Sequence, residues 1–169
     1  MTSVLVAYAT KMGGTKDIAT AIGAQLAGTG LDVTVRDAND VKALDGYDAV
    51  VIGSALYTGR WRGEAVAVLA RQAEKGAATP VWLFQSGPCG GPVPDVTPAP
   101  KRVLQLAAAV GAAAPTTFGG RLEPATARGF VARRMAKGRL AGDFRDFDAI
   151  RAWADDIAAT LAVPTPVTG

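Results

Sequence analysis

A chain of 169 residues, 49% of them hydrophobic, suffices for one domain with a buried core, and 7% aromatic content makes that core aliphatic and alanine-rich. It has no histidine and one cysteine, which excludes a Ser-His-Asp triad, histidine acid–base or metal chemistry, a disulfide framework and a cysteine-rich metal site. The net charge of +3 is uneven: Arg128, Arg133, Arg134, Lys137 and Arg139 stand together with no acid among them, and without them the chain would carry −2.

The apolar run Ser3–Tyr8 predicts a first strand. It leads into Thr10-Lys11-Met12-Gly13-Gly14-Thr15, where two hydroxyls bracket a glycine pair at a strand-to-helix corner. Such a corner has the chemistry of a phosphate cradle. Amides left unpaired at a helix N-terminus face the ligand, and the helix dipole favours negative charge there. Thr10 and Thr15 each add a hydroxyl, while glycine permits close backbone approach. Neither G-x-x-x-x-G-K-[ST] nor G-x-G-x-x-G is present here, so a single phosphate monoester fits better than a nucleoside triphosphate or a dinucleotide. An ordinary strand–turn–helix corner is the alternative.

Ile18, Ile22 and Leu26 repeat every four residues and predict a helix over Lys16–Ala27. Leu31–Arg36 alternates as an edge strand does, whereas Ala49–Ser54 reads as a strand buried on both faces. Helices follow over Gly63–Lys75 and Lys101–Val110, with a buried strand at Pro80–Gln85 between them. Pro115–Gly119 is a short fifth strand and Asp148–Leu161 a closing helix. Residues 1–162 are expected to form a single domain, with an extended proline- and threonine-containing tail over 163–169.

Strands alternating with helices imply a parallel sheet with right-handed crossovers. Five strands with the second at an edge fit the doubly wound 2-1-3-4-5 order. Ligands in such sheets sit outside the carboxyl ends of the strands. The loop after strand three, Ser54 to Trp61, carries Ala55, Leu56, Tyr57, Thr58 and Gly59; the loop after strand four is Ser86-Gly87-Pro88-Cys89-Gly90-Gly91. With the phosphate loop they could hold a flat ring joined to a phosphate. Tyr57 or Trp61 would offer a stacking face, and the glycine loop would offer amides to the ring edge. The alternatives are packing of Tyr57 and Trp61 against the next helix and a plain connector at 86–91.

Taken together, these residues resemble the flavodoxin-like, FMN-binding proteins. Thr10 through Thr15 matches their T-x-[TS]-G-x-T loop, except that Met12 stands where a hydroxyl residue is usual. Gly53 through Trp61, Phe118-Gly119-Gly120-Arg121-Leu122 and Gly142 through Asp148 resemble more closely the subgroup of menaquinone-dependent protoporphyrinogen dehydrogenase and actinobacterial flavodoxin-domain proteins. The resemblance implies a three-layer sandwich, FMN phosphate on residues 10–15, and the loops after strands three and four flanking the isoalloxazine. Loss of one hydroxyl at Met12 leaves a deazaflavin phosphate as an alternative cofactor. The resemblance also implies a cytoplasmic oxidoreductase that passes electrons between a reduced donor and a quinone, porphyrinogen or similar partner.

Donors to the flavin are expected in the backbone of Thr58, Gly59, Cys89 and Gly90. The cations of 128–139, interleaved with Phe130, Val131 and Met135, suit an anionic membrane surface or an acidic substrate; a solvated helix face is the alternative, and nucleic acid is disfavoured for want of a motif. The other readings are an electron carrier for one dedicated partner, small-molecule or protein, and a flavodoxin fold kept for protein binding. A signalling receiver is excluded, because it needs acids where Tyr8-Ala9-Thr10 and Gly53-Ser54 stand. No apolar run reaches membrane-spanning length, and the chain enters its first strand without a signal-peptide layout.

Overall fold

The computed structural model describes residues 1–11, 13–87, 98–119, 121–122, 142–143 and 145–163. In chain order the elements are β1 (Ser3–Ala9), α1 (Gly14–Gly28), β2 (Asp32–Asp37), β3 (Ala49–Tyr57), β4 (Arg60–Trp61), α2 (Gly63–Lys75), β5 (Val81–Ser86), α3 (Lys101–Ala109), β6 (Thr116–Phe118), β7 (Arg121–Leu122), β8 (Gly142–Asp143) and α4 (Phe147–Ala162). A single 3-10 turn, Ala38–Asp40, follows β2.

Burial follows from strand position. β1, β3 and β5 lie inside the sheet, so both faces of each are covered and their sequences are largely apolar. β2 lies at the edge, where its alternating sequence leaves much of it exposed. The order β2-β1-β3-β5-β6 is parallel throughout, which is the expected 2-1-3-4-5 arrangement of the five parallel strands. One apolar layer is built from Leu5, Ala7, Val50, Ile52 and Leu83 against Val68 and Leu69 of α2 and Val103 and Leu106 of α3. The other sets Val4, Val6, Val51 and Phe84 against Ile18 and Ile22 of α1 and Ile150 and Ile157 of α4. The result is helix–sheet–helix, three layers deep.

Glycine sets the close approach at the sheet centre. Gly53 is paired with Tyr8 on one side and Phe84 on the other. The Phe84 ring lies across it, so that a Cβ on Gly53 would meet ring atoms at 2.0–2.4 Å. Phe84 is itself wedged by Phe118 and Trp153, at centroid distances of 6.2 and 6.0 Å.

Two features go beyond the sequence reading. β3 runs on to Tyr57 and turns back through β4, pairing Leu56 with Trp61 and Tyr57 with Arg60. β7 and β8 pair antiparallel, Arg121 with Asp143 and Leu122 with Gly142, so the chain returns at 142–143 to the place it left at 121–122. Residues 123–141, including the basic group 128–139, and 164–169 of the tail lie outside the described residues. Among the described residues no helix is long and apolar enough to cross a membrane.

Candidate functional site

The carboxyl ends of β1, β3 and β5 bring three loops to one end of the sheet. At the first, Gly13 takes φ 85° and caps α1 without a side-chain bond. Thr10 Oγ1 accepts the Gly13 N–H at 2.9 Å, closing the loop on itself. A hydroxyl that accepts this bond still has its own proton to donate. The first amides of α1 have no intrahelical acceptor. Among the described residues of 10–15 the donors are thus amides, hydroxyls and the Lys11 ammonium, with no carboxylate. That chemistry suits an anion. The nearest acid in α1, Asp17, is engaged by Arg145 at 2.9 Å. Arg145 is largely buried and also lies over the Phe147 ring, 5.0 Å from its centroid.

Thr15 and Ser86 tie the first loop to the end of β5. Their hydroxyls are 2.7 Å apart and both residues are buried. Thr15 was placed by sequence as a direct phosphate ligand; here its Oγ1 also bridges to β5, so one hydroxyl of the pair donates to the other. Gly87 follows at φ 134°, its N–H donating to the Phe118 carbonyl at 2.9 Å. A side chain at Gly87 would crowd the Leu56 carbonyl at 3.2 Å. Met12, Pro88, Cys89, Gly90 and Gly91 lie outside the described residues.

The loop after β3 is a hairpin with a two-residue turn rather than an open loop. Thr58 and Gly59 have φ 51° and 75°, the sign pattern of a type I′ turn, which suits the twist of paired strands. A β-branched residue with positive φ is strained. Ala55, Leu56 and Tyr57 belong to β3 and are partly buried, while Thr58 and Gly59 are exposed at the tip. The base is pinned by Ser54, whose buried Oγ accepts the Arg62 N–H at 2.9 Å.

The two aromatics of this hairpin separate cleanly. Trp61 is only 7% exposed, within the core layer beneath α2 and α3. Its indole N–H donates to Gln85 Oε1 at 3.0 Å, so Trp61 anchors the hairpin and offers no open stacking face. Gln85, fully buried, passes the connection on by donating from Nε2 to Thr117 Oγ1 at 3.0 Å. Tyr57 keeps its ring at the surface, and the Lys11 ammonium sits over it, 3.5 Å from the centroid. Sequence reasoning did not find this contact, which spans two loops. Nor did it find Gln85, although a glutamine in an apolar strand near a buried tryptophan is a usable signal.

Tyr8, at the end of β1, is nearly buried; burial pushes its phenol up, and the Asp37 and Asp40 carboxylates add to this. It therefore stays protonated at neutral pH. For Glu64, burial works against the charge, but the Arg62 guanidinium at 2.8 Å and the Glu64 backbone N–H hold its carboxyl below the usual range. Beside Tyr57 a shallow cavity of about 280 Å³ is lined by Thr58, Arg60, Arg62 and Glu64. Among the described residues no cluster of ligating side chains could hold a metal ion.

A family model described as "Flavodoxin domain" matches residues 5–125. Among solved structures, a flavodoxin from the domain Archaea is 17% identical, with TM-score 0.67, covering 95% of this chain and 99% of its own. The flavodoxin of Streptococcus pneumoniae TIGR4 is 16% identical, with TM-score 0.63, covering 94% and 99%. Rubredoxin oxygen:oxidoreductase from Desulfovibrio gigas is 14% identical, with TM-score 0.63 over 95% of this chain, which spans 37% of the length of that enzyme. At these identities the likeness is one of fold. No curated protein matches the chain by sequence.

Proposed function

Because the chain belongs to the flavodoxin domain family, we propose that it holds FMN and passes electrons between a reduced donor and a quinone, porphyrinogen or similar organic partner. The observation that carries this reading is the meeting, at one end of the sheet, of a carboxylate-free amide and hydroxyl cradle with the ring of Tyr57, which only the Lys11 side chain overlies among the described contacts. Thr10, Gly13, Gly14 and Thr15 would hold the phosphate, and Tyr57 would flank the ring. The flavin, when bound, accepts and releases electrons, while the protein supplies position and electrostatics. Thr58 and Gly59 present backbone at the hairpin tip beside that ring. Glu64, held ionised by Arg62, is not suited to donate a proton at neutral pH.

The finer assignment, to the protoporphyrinogen-dehydrogenase-like subgroup, rests on three segments. Gly53–Trp61 forms the end of β3 and the hairpin, Phe118–Leu122 leads into β7, and Gly142–Asp148 leads from β8 into α4. In this reading residues 1–162 act as one domain, and the cations of 128–139, between β7 and β8 in the sequence, meet an acidic substrate or anionic lipid.

A fluorescence titration of cofactor-free protein with FMN tests the proposal. Stoichiometric quenching is expected, and Thr10→Ala with Thr15→Ala should weaken it, since a hydrogen bond to a charged group is worth roughly 1.5–3 kcal/mol. Turnover with a free quinone or porphyrinogen then separates an enzyme from a carrier. Absence of binding removes the FMN reading.

A further inference from the structure

The contact between Lys11 and Tyr57 joins the two halves of the proposed site, the phosphate loop and the ring-flanking hairpin. The ammonium lies 3.5 Å from the ring centroid, so it occupies the face of Tyr57 on which a flat ring would stack. The ammonium and a flat cofactor therefore compete for one face. Lysine's stem is long and rotatable, so its head can leave the ring without moving the backbone. Lys11 is also part of the loop whose other described donors suit an anion, and a phosphate dianion is the stronger partner for a displaced ammonium. An uncharged ring analogue offers no such exchange.

We propose that Lys11 is a specificity-determining placeholder: it covers Tyr57 when no flavin is bound and moves to the cofactor's phosphate when one is, so that phosphorylated flavin displaces it readily and riboflavin does not. This rests on the FMN reading above. The exchange makes selection for the phosphate depend on the ring site, not only on the cradle.

The test has a readout that needs no turnover. In the cofactor-free protein, the ε-methylene protons of Lys11 should show an upfield ring-current shift in NMR, lost in Tyr57→Leu. Saturating FMN should abolish the shift, whereas riboflavin at the same concentration should leave most of it. In parallel, Kd values for FMN and riboflavin are compared in wild type, Lys11→Ala and Lys11→Met. Removing the ammonium should tighten riboflavin about two- to fivefold, the weight of an exposed cation–π contact. FMN should weaken about two- to fivefold, the roughly twelvefold of a lost charge-assisted bond at its low end offset by the two- to fivefold gained because no ring contact has to be broken. Equal changes for both ligands in both variants, or a Lys11 signal indifferent to Tyr57→Leu or to FMN, would overturn the placeholder role while leaving FMN binding intact. If wild type binds neither flavin, both the functional reading and this inference fall.

Discussion

Replacing Gln85 by leucine probes whether the site hairpin is held from beneath. Gln85 is fully buried and takes the Trp61 indole N–H at 3.0 Å while donating to Thr117 at 3.0 Å. Leucine fills a similar volume but strands the indole N–H, which is worth about 1–3 kcal/mol. Losing the second bond brings the expected cost to about 2–4 kcal/mol. For a chain of this size that lowers Tm by roughly 4–16 °C. Urea unfolding should show a lower midpoint with an unchanged m-value. Trp61→Phe removes the stranded donor, so in the double variant the costs should fall short of their sum by at least about 1 kcal/mol. The FMN Kd should rise in Gln85→Leu, since Trp61 sits on the strand that pairs with the Tyr57 end of β3. Costs that add to within about 0.5 kcal/mol, with FMN affinity unchanged, would refute the idea of a buried anchor.

Gly53→Ala should destabilise by about 3 kcal/mol, because a Cβ meets the Phe84 ring at 2.0 Å and that ring is wedged between Phe118 and Trp153; Phe84→Leu in the same chain should recover part of the loss in urea unfolding. Gln72, 1% exposed on α2, has no partner for either amide atom among the described residues, so Gln72→Leu should stabilise by about 1–3 kcal/mol; a lower unfolding midpoint would show that the amide is satisfied. The Asp48 carboxyl accepts from the Ser3 backbone N–H at 2.8 Å and its hydroxyl at 3.0 Å, which holds it below the ordinary range. Its contribution is therefore present above the unfolded value near ~3.9 and is lost as pH falls through the lower folded value. Carboxyl NMR should place the Asp48 midpoint below that of a model aspartate, and Ser3→Ala should raise it.

Much of the architecture was legible because burial and period agree. β2 alternates and lies at the edge; β1, β3 and β5 are largely apolar and lie inside. The phosphate loop was legible because glycine and hydroxyl spacing encode a local backbone shape, seen in Gly13 at φ 85° and Thr10 bonded to its amide. The hairpin was not. A type I′ turn is announced by Asn-Gly or Asp-Gly, and Thr58-Gly59 carries only half of that signal. Nor could spacing reveal pairs that the fold brings together, such as Lys11 with Tyr57 or Asp17 with Arg145. The roles of Trp61 and Tyr57 diverged for a similar reason: Tyr57 ends β3 and Trp61 lies in β4, and the hairpin's return turns Trp61 into the core and leaves the ring of Tyr57 at the surface.

The pairing of Arg121 with Asp143 and Leu122 with Gly142 gives the molecule a seam. A detour whose two ends are buttoned together imposes little on what precedes and follows it, since the entropy of closing a loop grows only slowly with its length. Changing the number of residues between 122 and 142 should therefore cost the parallel sheet little stability.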